Sequence, residues 1–267
     1  MKSRLVGTWA GDVLLRFSRW RSLRSVPLGN PEAAGARANA VLADRLIAQL
    51  CPAQGRFLDV GAHIGSVFAS VHRAMPGAEI IAIEADPDKA AALRARFPYC
   101  TLLEAAVGES EGSVDFFRDP GKSGFNSLAP GEGRERITVE LRRLDDLLPD
   151  TRVDLIKIDV EGAELGALRG GARLIARGRP VILFESTEVG PNALGYSAEM
   201  LWQWFDRHDY GVFTPDRLAH EAPPMTSEVF VDSHEYPFRT LNYFAVPMEQ
   251  RQAIRDRARK ILGVEAR

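Results

Sequence analysis

Two apolar rhythms alternate along most of this 267-residue chain. Short apolar runs of strand length occur at 56–60, 79–84, 101–105, 153–159 and 180–185, with helically spaced stretches near 65–74, 87–96, 163–177 and 197–208. Strands joined by connections of helix length predict a mostly parallel sheet covered on both faces, an α/β, Rossmann-like doubly wound fold. Residues 112–141 interrupt the alternation. Ser113–Phe117 and Ile137–Leu141 read as strands flanking the glycine- and serine-rich run Gly121–Ser127, which suits either a loop beside a ligand or a plain solvent loop. Tyr243–Val246 reads as a last strand and 248–262 as a terminal helix, while Val41, Leu42, Leu46, Ile47 and Leu50 place a helix over 38–50. The organisation expected is an N-terminal basic and helical extension (1–50), one α/β domain (51–250) and a helical tail (251–267).

Composition narrows the class. A hydrophobic content of 45% and a net charge of −2 fit a soluble globular protein and give no global case for a nucleic-acid partner. Two cysteines, Cys51 and Cys100, without C-x-x-C spacing exclude a disulfide framework and point to a reducing, cytoplasmic setting. No apolar run approaches the ~20 residues of a membrane span. The first 27 residues carry Lys2, Arg4, Arg16, Arg19, Arg21 and Arg24 against Asp12 alone, interleaved with Leu5, Trp9, Leu14, Leu15, Phe17 and Trp20. Such a segment either packs on the domain or on a second subunit of a homo-oligomer, or lies as an amphipathic helix on an anionic membrane.

The chemistry concentrates at strand ends. Phe57-Leu58-Asp59-Val60-Gly61-Ala62-His63-Ile64-Gly65 runs from a strand into a glycine turn, and Glu84 closes the next strand nineteen residues after Gly65. That layout binds a nucleoside, because glycines admit the ligand to the backbone and the acid accepts from a ribose diol. A dinucleotide turn would carry glycine where His63 stands, and Asp59 would repel pyrophosphate but suit a sulfonium or ammonium. S-adenosylmethionine (SAM) is favoured over NAD. Asp86-Pro87 has the form of a helix N-cap. A second constellation, Leu155-Ile156-Lys157-Ile158-Asp159-Val160-Glu161-Gly162-Ala163-Glu164, ends a strand in crowded carboxylates, and Glu185 ends the next. Asp159 and Glu161 could raise one another's pKa and yield a general base, or hold a divalent cation. With no ligand-rich cluster visible beyond these acids, a metal-free site is the expectation. Lys157 is expected to pair with a carboxylate, and Glu164 to complement the dipole of the following helix.

These motifs, together with Ile83-Glu84-Ala85-Asp86-Pro87, Ala106-Val107-Gly108, Leu144-Asp145-Asp146 and Ile182-Leu183-Phe184-Glu185, resemble FkbM-type SAM-dependent methyltransferases. The likeness is strong over 57–185 and continues weakly to Asn242–Pro247. It implies an antiparallel edge strand, Asp59, Gly61 and Gly65 at the methionine end of SAM, Glu84 at the ribose, and Glu104 and Ala106 beside the adenine. Members typically methylate a hydroxyl of a sugar, glycan or secondary metabolite, so the acceptor implied is a small molecule or glycan. His63 stands where the family usually has asparagine, and reads as a base or as a donor holding the loop. The catalytic candidates are Asp159, Glu161 and His63, with Asp159 also against the cofactor. A SAM-binding subunit without transferase activity is the alternative. An NAD oxidoreductase is disfavoured by His63 and by the lack of a tyrosine–lysine pair at helical spacing. Acceptor contacts are expected from 1–50, 119–135 and 187–240. Tyr196, Trp202, Trp204 and Phe205 suit either stacking on an acceptor or packing in the core, and His208, His220 and His234 read as surface or loop residues.

Overall fold

The computed structural model describes Val6, Thr8 and residues 31–119, 126–131, 133–187, 190 and 192–264. The basic segment and most of the Gly121–Ser127 run lie outside these residues. In chain order the elements are α1 (Ala34–Leu50), β1 (Arg56–Val60), α2 (Ser66–Ala74), β2 (Glu79–Glu84), α3 (Pro87–Arg96), β3 (Cys100–Glu104), β4 (Ala106–Val107), β5 (Gly112–Arg118) and β6 (Glu135–Arg142). There follow α4 (Leu144–Leu147), β7 (Leu155–Ile158), α5 (Glu164–Gly170), α6 (Ala172–Gly178), β8 (Val181–Glu185), α7 (Ala198–Arg207), β9 (Tyr210–Phe213), α8 (Ser227–Asp232), β10 (Asn242–Pro247) and α9 (Arg251–Leu262).

Seven strands form the main sheet in the order β3-β2-β1-β7-β8-β10-β9. The pairs from β3 to β8 are parallel, and β10 runs antiparallel to both β8 and β9. The order reverses between β1 and β7, which opens a crevice beyond the carboxyl ends of those strands. Alternate side chains feed two cores, as a sheet buried on both faces requires. Leu58, Val60, Ile156, Ile158 and Phe184 point to the face covered by α5, α6 and α7. Phe57, Leu155, Val181 and Leu183 point to the other, where Leu46 and Ile47 of α1, Phe68 of α2, Leu93 of α3 and Ala258 of α9 meet them. A second sheet, β4-β6-β5, grows from the interrupting segment around Phe116, Val139 and Ala106.

The expected helix 163–177 is two helices, because Gly170 and Gly171 fall at its centre and glycine weakens a helix interior. β9 and α8 were not visible in the pattern of 209–240. Gly211 dilutes the four-residue strand, and α8 is only six residues long. No helix among the described residues is long and apolar enough to cross a membrane.

Strand parity corrects one expectation. Asp59 shares the face of Phe57, and its register partner on β7 is Lys157, which shares the face of Leu155. Both side chains therefore point under the helices rather than into the crevice. Asp59 is fully buried, with Oδ1 3.3 Å from the Lys157 ammonium. Burial pushes the Asp59 carboxyl up and the lysine pulls it back. Burial also works against the Lys157 charge, but Asp59 and Asp159 outweigh it and its pKa is raised.

Removing one member of a buried pair strands the other charge. Lys157→Met should therefore lower unfolding free energy by about 3–5 kcal/mol, and adding Asp59→Asn should restore part of the loss. Urea unfolding of the three proteins measures both. A single variant as stable as the parent would show that the pair does not hold the fold.

Candidate active site

The open crevice at the β1–β7 switch has a volume of about 220 Å³ and is lined by both sheets. Gly61 sits at its floor with φ +81°, and a side-chain carbon there would lie 1.9 Å from the Asp159 carbonyl oxygen. The turn after β1 thus touches the end of β7 backbone to backbone, which only glycine permits. The Gly61 and Ala62 N–H groups both donate to the Ile83 carbonyl at 3.0 Å. Gly65, also left-handed, starts α2 under Phe68 and is not part of the lining. His63 lines the crevice with φ +52°, a region that asparagine and histidine tolerate better than most residues. Burial, then Lys89 and Lys157, lowers its pKa to about 4, so the ring is neutral near pH 7.

Glu84 closes β2 with its side chain buried at the crevice wall. Oε2 accepts the His63 N–H at 2.7 Å and Oε1 accepts the Asp86 N–H at 3.0 Å. Each oxygen keeps a further lone pair for a ligand hydroxyl. Burial raises its pKa, and the two backbone donors and Lys89 oppose that rise. Asp86 caps α3 as its sequence suggested, with Oδ1 accepting the Asp88 N–H at 3.0 Å. It also binds the second sheet: Arg118 Nη2 reaches Oδ1 at 2.6 Å and Asn126 Nδ2 reaches Oδ2 at 3.1 Å. This clamp brings Phe116, Asn126 and Leu128 to the crevice, which Ala105, Ala106 and Val107 also line. Ala106 is part of this lining. Glu104 is not, because its side chain leaves the edge strand β3 toward solvent, 3.6 Å from Arg94.

The second carboxylate group is larger than the motif alone implied. Asp159 follows β7, with Oδ2 3.2 Å from Lys157 Nζ, and the same ammonium donates to the Gly61 carbonyl at 2.9 Å. Glu161 stands in the left-handed region at φ +54°. Glu185, from the adjacent strand, joins them, so that carboxylate oxygens of the three residues lie within 4.8 Å of one another. At that spacing each carboxylate disfavours the ionisation of its neighbours. Burial, then Asp159 and Glu164, raises Glu161 to about 7; burial, then Asp159 and Glu161, raises Glu185 to about 9. Glu164 folds back, accepting the Val160 and Gly162 N–H groups at 2.9 and 3.3 Å, and so braces the loop that carries Glu161.

Residues 59–212 match the sequence model of the methyltransferase FkbM domain. The chain belongs to the FkbM methyltransferase family. Among similar proteins, methyltransferase sdnD of Sordaria araneosa is 29% identical over 158 residues, 45% of this chain and 61% of that protein. The 2-O-methyltransferase NoeI of Sinorhizobium fredii is 28% identical over 144 residues, 46% of this chain and 59% of its own length. The chain thus matches about 60% of the length of these curated relatives. A crystal structure of methyltransferase FkbM from Methylobacillus flagellatus superposes with a TM-score of 0.45 at 19% identity, over 72% of this chain and 43% of that one.

The crevice of this FkbM protein fits the family's cofactor, SAM. Glu84 keeps acceptor capacity beside a glycine turn, Ala105, Ala106, Val107 and Phe116 supply apolar lining, and Glu84, Asp159 and Glu161 outnumber Lys89 among the lining residues. Carboxylate excess favours a sulfonium and an ammonium over a pyrophosphate. Lys89, Asn126 and Phe116 were not singled out from the sequence. Lys89 follows the Asp86 cap by three residues, which alone marks no site, and the other two arrive only when β5 and its connection pack on β2. Among the aromatic candidates, Trp204 and Phe205 are core, and Trp202 donates Nε1–H to the Met225 carbonyl at 2.9 Å. Tyr196 borders a cleft beside Glu185. His234 is a correction, being buried within α8's packing rather than at the surface.

Glu84→Ala should fold but lose SAM affinity. Loss of charge-assisted hydrogen bonds to the ribose costs about 2–4 kcal/mol, hence thirtyfold or more in Kd. Calorimetric titration with S-adenosylhomocysteine measures it, and parental affinity would remove Glu84 from the cofactor site.

Proposed function

We propose that this protein is a SAM-dependent O-methyltransferase acting on a hydroxyl of a sugar, glycan or secondary metabolite. The observation that carries the reading is the Asp159–Glu161–Glu185 carboxylate group at the margin of the nucleoside crevice. Bound there, SAM supplies an activated methyl group on its sulfonium. The protein's tasks are then to hold the cofactor, align a hydroxyl and accept one proton. Glu84 would hold the ribose hydroxyls, and Asp159, tied to Lys157, would border the methionine end. Glu161, brought to about 7, is the member of the group best matched to taking a proton near neutral pH. His63 holds the turn through its backbone N–H on Glu84, and a pKa lowered to about 4 makes its ring a weaker base than Glu161. Similarity to NoeI, a 2-O-methyltransferase, supports oxygen as the atom methylated. Neighbouring carboxylates also favour a hydroxyl acceptor, because they can remove its proton as the new bond forms.

The test is transfer of labelled methyl from SAM to a panel of methyl hexosides and simple phenols. A base of pKa near 7 acts when deprotonated, so turnover should rise with pH through about 7 and level off above it. Glu161→Gln should lower kcat by about 10²–10⁴-fold and abolish that limb, with affinity for S-adenosylhomocysteine little changed. Asp159→Asn losing turnover while Glu161→Gln retains it would move the base to Asp159. Chelation by EDTA should leave turnover intact, whereas loss restored by magnesium would give the carboxylate group to a cation. Binding of SAM without transfer to any acceptor would favour a non-catalytic subunit.

A further inference from the structure

Ser186 and His234 form a buried pair that the carboxylate chemistry does not use. Ser186 directly follows Glu185 and lines the small cleft that also holds Glu185, Gly162 and Tyr196. Its N–H donates to the Leu241 carbonyl at 2.9 Å, which fixes the backbone where β8 ends. His234, at the end of α8, is buried, and burial lowers its pKa. The ring stacks on Tyr243 at 5.4 Å between centroids and meets Phe230 edge to face at 4.7 Å, so its plane is set by packing.

The hydrogen bonds then leave one arrangement of protons. His234 Nδ1 lies 2.7 Å from the Phe230 carbonyl oxygen, which can only accept. Nδ1 therefore carries the proton, and in the neutral ring Nε2 has only a lone pair. Nε2 lies 2.8 Å from Ser186 Oγ, so the serine hydroxyl must donate to it. The one hydrogen of Ser186 is committed, and what the hydroxyl can offer a ligand is lone pairs alone. A serine free to rotate accepts or donates according to its ligand. This one is fixed as an acceptor.

We infer that Ser186, held by His234, is an acceptor-substrate positioning residue that requires a hydrogen-bond donor, a hydroxyl or amine, on the acceptor beside the group to be methylated. The inference rests on the methyltransferase reading above. It follows that an acceptor bearing a vicinal hydroxyl is accepted, and its deoxy or O-methylated analogue discriminated against, because the latter leaves Ser186 unpartnered. The recognition extends substrate specificity beyond the reacting carboxylates, and its source is a helix, α8, that contributes nothing to the cofactor crevice.

Two measurements test it. The first needs no acceptor: ¹⁵N NMR of the histidine rings should show His234 protonated at Nδ1, with its Nε2 resonance moving in Ser186→Ala. A ring protonated at Nε2 overturns the inference whatever the enzyme's activity. The second uses labelled SAM with methyl hexosides and simple diols, each beside its monodeoxy counterpart. On an acceptor that the parent methylates, Ser186→Ala should raise KM about tenfold, the scale of one neutral hydrogen bond, and leave kcat within about threefold. It should also erase the preference over the deoxy partner, and Ser186→Thr, which keeps the hydroxyl, should restore it. An unchanged KM, or a preference that survives in Ser186→Ala, overturns the inference. A parent that methylates nothing in the panel while the Nδ1 tautomer is found counts against the proposed acceptor class and not against the fixed serine.

Discussion

A single ammonium group organises the floor of this molecule. Lys157 Nζ stands between the Asp59 carboxylate below the sheet and the Asp159 carboxylate at its edge, and donates as well to the Gly61 carbonyl. One lysine thereby joins the glycine turn of β1, the interior of β1 and the loop after β7. An isolated charge in that position would cost several kcal/mol, and the arrangement is tolerable only because each partner compensates another. Asp159 is then oriented by an interaction anchored in the core rather than by the mobile geometry of a surface loop. Pre-alignment of this kind is what methyl transfer asks of a protein, since the donor is already activated.

The same economy of position explains where strain is stored. Three residues around the crevice, Gly61, His63 and Glu161, adopt positive φ. For the latter two, non-glycine side chains in a left-handed conformation carry a cost that surrounding contacts must offset. His63 is held by the bond from its N–H to Glu84, and the Glu161 loop by the two N–H groups that Glu164 gathers. Glu84 and Glu164 accordingly serve twice, as buried acceptors that shape the turns and as charges that tune what lies in them. The family's usual asparagine at position 63 fits the same backbone requirement, which is why histidine substitutes there without disturbing the glycine geometry.

The crevice and the Ser186 cleft draw on different parts of the fold. Glu84 and Gly61 belong to the parallel half of the main sheet and its turns, and Ala106 to β4 of the second sheet, whereas Ser186, His234 and Tyr196 belong to the elements around β8 and the antiparallel strand β10. Glu185 lies on the border, sharing carboxylate contacts with Asp159 and a cleft with Ser186.

By itself the sequence determined the alternation of strands and helices, the nucleoside turn with Glu84 at the next strand end, the Asp86 cap and the pairing of Lys157 with acids. These are local: strand and helix periods, cap residues and glycine turns act within a few positions, and strand ends are read directly from where apolar runs stop. Tertiary structure alone decided which way Asp59 points, since that depends on the parity of a strand relative to its covering helices. It decided that Glu104 leaves the crevice at an edge strand, whereas the place of Glu185 beside Asp159 follows from both residues standing at the ends of neighbouring strands. It alone brought Asn126 to Asp86 over forty residues and His234 to Ser186 over forty-eight. Neither contact has a periodicity or motif to announce it, because each forms only after the two sheets and α8 have packed, and packing is a property of the whole chain.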